Sequence, residues 1–312
     1  MLCLGIVGCG RVTRMFHVKA IDQISDLCIG AVSDVDAAIR RSVDLLGGVS
    51  IKPSDHVVIK PNICNAKNPG GIVITDFRVI KAVVDIVKER ASDVTLVESD
   101  NISGSAEKRA RDSGFLELCD ELEVGFLNLS HDDYEEYPVA GAQLRLPRTV
   151  LDADYFINLP KVKTCAHTLV TLGIKNLYGV FQRKQKGRLH KHLNDILPFL
   201  AKTVRNDLII ADGINCMEGN GPVICNLLCL DMIVVGSNLA SVDSILSRIM
   251  GFDPQDIPHI ANSSKAGVGP IYLSEIDVVG DDWARYVRSF EPPYSLKATL
   301  KSVKSVKDIL LG

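Results

Sequence analysis

The stretch "LPKVKTCAHTLVTLGIKNLYG", residues 159 to 179, sets Lys161, Lys163, His167 and Lys175 in an otherwise apolar context. An ammonium taken out of water without a partner is costly, so these cations are expected to face a ligand anion or nearby acids. Read as a helix after Thr164, the segment places His167, Thr171 and Lys175 on one face, each four residues from the next. Lys161 and Lys163 then precede the helix in a loop, close to backbone N–H groups that favour an anion. Lysines, hydroxyls and a helix start together make a seat for a phosphate or carboxylate, with His167 or Lys175 moving a proton. Solvated loop lysines and a hydrogen-bonded structural histidine fit the same residue types.

Further chemistry-bearing residues lie in "ADGINCMEGNGP", where Gly213, Gly219 and Gly221 let backbone approach a ligand. Asp212 and Glu218 in the same run suit a divalent cation or an acid–base pair, and a glycine turn with solvated acids is the plainer alternative. Glu98 and Asp100 close "TLVESD", and Lys60 and Asn62 close "VVIKPN". Asp243 opens the helix pattern "NLASVDSILSRIMG", where capping is a simple role. Cys64, beside Asn62, is the thiol best placed for chemistry, because a neighbouring lysine favours the thiolate. Cys216, Cys225 and Cys229 match no metal spacing, and the last two sit in an apolar run that suits small buried side chains.

The elements that must position these residues are short apolar runs alternating with helical patterns, the mark of an α/β protein with a mostly parallel sheet flanked by helices. "LCLGIVG", "DLCIGAVS", "DHVVIK", "DVTLVES", "VGFLNL", "DYFINL", "DLIIAD", "LDMIVVG" and "EIDVVG" read as strands. "FRVIKAVVDIVKERA" reads as a helix with Val79, Ile80, Val83, Val84 and Val87 on its apolar face, and "AEKRARDSGFLELCDEL" reads likewise. "HDDYEEYPVAGAQLRLP" is expected to form a loop and hairpin outside the main sheet, a smaller α+β portion. The tail "SLKATLKSVKSVKDILL" reads as an amphipathic helix with a solvated lysine face. Several strands end in polar clusters. Ligands of open α/β sheets bind beyond the carboxyl ends of the strands, so Lys60, Glu98, Lys161, Lys163, Asp212 and Glu218 are expected to border one cleft.

At 312 residues, 46% hydrophobic and 23% charged, the chain can bury a sizeable core. A net charge of −3 gives no basic footprint for nucleic acid. The longest apolar run is broken by Asp231, so no bilayer span is expected. The beginning has neither a basic leader region nor a small-residue cleavage site. Nine irregularly spaced cysteines point to free thiols in a reducing cytosol. A homo-oligomer is allowed by the sequence and not specified by it.

The runs "VVIKPNIC", "TDFRVIKAVVDIVKE", "VTLVESD", "ADYFINLPKVKTCAHTLVTLGIKNLYGV", "DGINCMEGNGP" and "GSNLASVDSILSRIMGFDPQDIPHI" resemble, in order and spacing, the domain of unknown function 362 family over roughly residues 37 to 270. The resemblance singles out Lys60, Pro61, Asn62, Thr75, Asp76, Glu98, Lys161, Lys163, Thr171, Lys175, Asn176, Gly179, His190, Asp212, Glu218, Gly219, Asn220, Gly221, Pro222 and Asp243. It brings no established general activity with it. Some members add an iron–sulfur module, and this chain has no CxxCxxC run. Asn238 stands where the family pattern usually has Asp, and Cys165 and Ala166 displace His167 from the family's "KTH" spacing.

Residues 1–36 read differently. A strand runs into Gly8-Cys9-Gly10, a helical pattern follows, and a second strand ends at Asp34. This is the opening of a dinucleotide fold with its acid roughly 20 residues beyond the glycines. It resembles the start of the Gfo/Idh/MocA oxidoreductases, down to "GCGRV" and "FHVKA", with Thr13 at the third fingerprint position. That resemblance implies NAD(P) at Gly8, Gly10 and Asp34. A remnant unit that only extends the sheet is the alternative.

Three segments follow: the opening unit 1–36, an α/β domain over 37–280 and a helical tail over 281–312. The expected function is an enzyme acting on a small phosphate- or carboxylate-bearing metabolite. Lys161, Lys163, His167, Lys175 and Glu98 are its catalytic candidates. Lys60, Asn62, Thr171, Asn176, Gly219, Asn220 and Gly221 are its ligand contacts, and Asp212 and Glu218 its metal pair. The alternatives are an NAD(P)-dependent oxidoreductase and an iron–sulfur or metal-binding accessory protein.

Overall fold

The computed structural model describes residues 2–8, 34–182, 186–220 and 224–295. The strands are β1 Leu2–Gly8, β2 His56–Pro61, β3 Asp93–Glu98, β4 Gly125–Asn128, β5 Tyr134–Val139, β6 Ala142–Pro147, β7 Tyr155–Leu159, β8 Lys161–Cys165, β9 Leu169–Thr171, β10 Leu208–Asn220, β11 Ile224–Gly236 and β12 Ile276–Gly280. All but β5 and β6 join one ten-stranded sheet, whose main path runs β12-β1-β11-β10-β7-β2-β3-β4. From β10 to β4 the neighbours are parallel. β11 runs antiparallel to both β10 and β1.

The strand sequences explain this order. Parallel strands covered on both faces read as continuous apolar runs, and in β2 Val57, Val58 and Ile59 are all fully buried. Their side chains alternate between two cores. Val57 and Ile59 join one core with Ile157, Ile210 and Val235. Val58 joins the other with Phe156, Ile209 and Val234. The helix Phe77–Lys88 covers the first face. Its five expected core positions, Val79, Ile80, Val83, Val84 and Val87, are buried, and the Asp76 carboxylate caps it by accepting from Arg78 N. The helix Leu239–Ile249 covers the second face through Val242, Ile245, Leu246 and Ile249. β5 and β6 pair only with each other, the hairpin expected outside the main sheet.

The N-terminal strand sits apart from the parallel run. β1 lies between antiparallel β11 and parallel β12. Gly8 ends β1, while Gly10 and the expected second strand lie outside the described residues. The Asp34 carboxylate accepts from Asp36 N and caps the helix Val35–Leu45. The expected tail helix lies outside the described residues, and residues 281–295 contain one short 3-10 turn, Trp283–Tyr286. Among the described residues no helix is long and apolar enough to cross a membrane.

Candidate functional site

The lysine-bearing stretch is a β-hairpin, not the helix its four-residue spacing suggested. β8 and β9 pair antiparallel, Lys163 with Thr171, Thr164 with Val170 and Cys165 with Leu169, around the turn Ala166–Thr168. Val162, Thr164, Val170 and Thr171 are β-branched and suit a pleated surface. β8 also runs beside β10, pairing Lys161 with Asp212 and Lys163 with Met217 across a register shift. Lys161 and Lys163 are therefore strand residues. A short helix, Gly173–Asn176, follows, and both oxygens of Asp243 accept its first N–H groups, from Gly173 at 2.7 Å and Ile174 at 2.9 Å.

The hairpin, the ends of β2 and β3, the short helix and the segment Lys186–His192 enclose a cavity of about 220 Å³. Lys60, Lys163, Lys175, Lys186, His167 and His190 line it, and Glu98 supplies its acid. Asn62, Thr171 and Asn176 line it too, as do Cys64, Cys165 and Tyr178. Most of the expected ligand contacts thus meet in one place despite the wrong helix. Residues spaced for one helix face can also converge when a hairpin folds back, because the turn returns β9 alongside β8.

Fixed polar partners hold much of this lining. Lys60 Nζ lies 2.9 Å from Glu98 Oε2 and 2.6 Å from the Pro61 carbonyl, with both charged side chains buried. Glu98 also accepts from Ser99 N at 2.9 Å and Ile63 N at 3.2 Å. Lys163 Nζ donates to Asn62 Oδ1 at 2.8 Å and the Val73 carbonyl at 2.7 Å, and stands 3.1 Å from Cys64 Sγ. Asn176 ties the floor together. Its Oδ1 accepts from Asn62, and its Nδ2 donates to Asn158 Oδ1 and the Lys60 carbonyl. Lys186 Nζ donates to Ser99 Oγ and the Tyr178 carbonyl. Lys175 differs: its Nζ stands 4.2 Å from the centre of the Tyr178 ring, and no oxygen among the described residues accepts from it.

Crowded cations in little water shift one another. Burial lowers the Lys60 ammonium against the pull of Glu98. Burial also lowers Lys175, and the charges of Lys163 and Lys60 add to this. Lys186 falls to about 7 through burial, with Lys60, Arg109 and Lys175 reinforcing. The rings of His167 and His190 lie 3.9 Å apart, and burial, then His167 and Lys175, bring His190 down to about 4. Burial raises the Cys165 thiol, but the neighbouring polar groups of His167 and Thr168 and the charge of Lys175 outweigh it and hold the group at about 5.

Three residues expected at the cleft stand elsewhere. Lys161 is fully buried and pairs at 2.7 Å with Asp212, itself fully buried. Asp212 also accepts from Asp76 N at 2.7 Å and Ile214 N at 3.1 Å. Glu218 accepts from Glu291 N at 2.9 Å and Asn226 Nδ2 at 3.2 Å, which fixes a neighbouring segment. The carboxylates are thus committed to separate partners, and among the described residues no group of three or more His, Cys, Asp or Glu side chains converges as a metal site would. The strand-end rule failed for Glu218 because β10 continues for 13 residues, past its parallel pairing with β7 and to the end of its pairing with β8 at Met217. Gly219, at φ +83°, joins the same seam. Its N–H donates to the Glu291 carbonyl, and its carbonyl accepts from Thr164 Oγ1. Asn220 ends β10, and Gly221 lies outside the described residues.

Lys186 and Cys165 escaped the reading of residue types. Lys186 sits in a basic run that looks solvated, and only packing on Phe181 and Tyr178 reveals its burial. Cys165 was visible as the first residue of Cys-Ala-His, but its orientation depends on the hairpin.

Fold and cavity define an α/β protein with a lysine-rich pocket at the strand ends of a mostly parallel sheet. Residues 57–248 match the model of the family described as Domain of unknown function (DUF362), and the chain belongs to that family. It is also 31% identical over 243 residues to the Thylakoid-associated protein sll1697 of Synechocystis sp. (strain ATCC 27184 / PCC 6803 / Kazusa), a likeness covering 75% of each chain. The family match begins at residue 57 and leaves the N-terminal unit outside it.

Proposed function

We propose that this chain is an enzyme acting on a small metabolite that carries a phosphate or carboxylate, bound in the lysine-lined cavity. One observation carries this reading. Four lysines and two histidines line the cavity against a single carboxylate, Glu98, which is already engaged by Lys60. Burial, with repulsion from neighbouring cations added to it, depresses Lys175, Lys186 and His190, and an anion at this place would offset both. Lys175 is the first contact, because its ammonium stands over an aromatic face and donates to no oxygen among the described residues. Lys163 and Lys60 supply fixed charge from behind, and Asn62 and Asn176 set the shape of the floor. Lys186, with an ammonium at about 7, is suited to exchange a proton with bound substrate. The free thiols of Cys64 and Cys165 suit a reducing cytosol.

The test is a melting series with sodium phosphate, sulfate and small dicarboxylates at constant ionic strength, on wild type and Lys175→Met. A ligand present at a hundred times its Kd adds about 2.7 kcal/mol to folding stability. Wild type should therefore shift upward with at least one anion, and Lys175→Met should lose most of that shift. Equal shifts in both proteins, or none in either, would remove the anion site.

A further inference from the structure

We propose that Cys165 is the covalent nucleophile of this cavity, attacking an acyl carbon of the anionic substrate seated by Lys175, with His167 carrying the proton. The inference rests on the anion reading above and adds a reaction class to it.

Placement comes first. Cys165 is the last residue of β8, half-buried, and it lines the cavity together with His167, Lys175 and His190. The hairpin turn leaves His167 exposed, two residues along the chain from Cys165 and lining the same cavity. A nucleophile flanked by a base and a cation is the arrangement that activates thiols elsewhere. The backbone supports it. Leu169, which faces Cys165 across the hairpin, is held at φ +65°, a left-handed conformation uncommon for a branched residue. Strain of this kind collects where a turn must aim a side chain.

Four of the other five described thiols provide the contrast: Cys119, Cys216, Cys225 and Cys229 are pushed up, in each case first by burial. The fifth, Cys64, lines the same cavity beside Lys163 and is the rival that the experiment must separate from Cys165. Cys165 is held down by His167 and Lys175.

The step balances with water as co-reactant. The Cys165 sulfur forms a bond to the acyl carbon, and the bond from that carbon to its leaving group breaks. The leaving group takes the electron pair and a proton from His167. Water then adds to the thioester, the carbon–sulfur bond breaks, and a carboxylate departs. One proton returns to His167 and one passes to solvent, which restores the thiolate.

The experiment compares alkylation of the full chain by iodoacetate, an anion, and by neutral iodoacetamide, read cysteine by cysteine with peptide mass spectrometry between pH 5 and 9. Cys165 should react first. Its rate should already be near its plateau at pH 7, because its thiol lies at about 5. Its iodoacetate-to-iodoacetamide ratio should exceed that of exposed Cys229 by about tenfold, the enrichment a cationic cleft gives an anion. Lys175→Met should abolish that excess and Lys175→Arg should retain it. Wild type alone suffices if Lys175→Met does not fold. The inference falls if Cys64 or Cys229 reacts before Cys165, or if the Cys165 rate climbs through pH 8–9 like an ordinary thiol. A phosphate-induced melting shift alongside ordinary Cys165 reactivity sinks the covalent step and leaves the anion site standing. A fast Cys165 with no anion shift and no iodoacetate preference sinks the anion site, and with it the seating role given to Lys175.

Discussion

Two lysines 14 positions apart in sequence should behave in opposite ways when shortened to an apolar chain. Lys161 and Asp212 are both fully buried, and their ion pair has no water to fall back on. Lys161→Met leaves the Asp212 carboxylate with only the Asp76 and Ile214 N–H groups. Removing one partner of a buried pair costs about 3–5 kcal/mol. Lys175→Met removes a cation that its surroundings already disfavour, so its stability should stay within about 1 kcal/mol of wild type. Urea melts of the two variants decide the matter, and similar losses would refute the division into a structural and a ligand-facing lysine. His190 adds a pH signature. Its ring lies at about 4 in the fold against 6.5 in an ordinary setting. The unfolded chain therefore binds a proton that the folded chain refuses, and stability falls as pH drops from 6.5 toward 4. Asp243, held protonated up to about 7 by burial, acts in the opposite sense. The quantity to measure is thus the difference in melting temperature between wild type and His190→Gln. That difference should move in favour of the variant between pH 7 and pH 4.5, and a constant difference would show that His190 titrates normally.

At the scale of elements, the cavity depends on a close crossing behind it. Gly179 ends the short turn Leu177–Gly179, and a Cβ there would stand 2.7 Å from Glu98 Oε1 and 2.8 Å from Lys60 Cε and Nζ. Both side chains are buried and joined in an ion pair, so room for a Cβ opens only if that pair shifts. Gly179→Ala should therefore cost about 1–3 kcal/mol by overpacking and weaken any phosphate-induced melting shift, since it pries apart the charge pair beneath the site. An unchanged melting curve would show that the Lys60–Glu98 pair yields freely. The same scale shows what was legible in the sequence. The short apolar runs "DHVVIK" and "DVTLVES" read as strands and are strands, and the apolar face of Phe77–Lys88 was readable position by position. The hairpin was not legible. His167, Thr171 and Lys175 fit a helical period by coincidence, and β8 and β9, at five and three residues, are too short to impose a period of two. Strand pairing with β10 decides the structure, and that contact is invisible to a local pattern.

Across the whole molecule, the sheet order explains which expected site residues meet. Lys60 and Glu98 end adjacent parallel strands, so the strand-end rule brought them together. Asp212 and Glu218 lie on a 13-residue strand that pairs antiparallel with β11 along most of its length, Asp212 also facing Lys161 of parallel β8, and their carboxylates serve as internal braces. The concentration of lysines in one cavity has a further consequence for how a ligand arrives. The chain as a whole carries −3, yet the cavity gathers four lysines around one carboxylate. If the cavity seats an anion as proposed, that anion would meet repulsion at long range and attraction at the mouth. Dissolved salt screens distant charges within roughly 10 Å at 0.1 M but reaches enclosed ones poorly. Added salt therefore lowers the far barrier more than it loosens the near grip. Capture by this pocket would quicken, or at least hold steady, over a range of ionic strength in which an open basic surface would steadily lose its ligand.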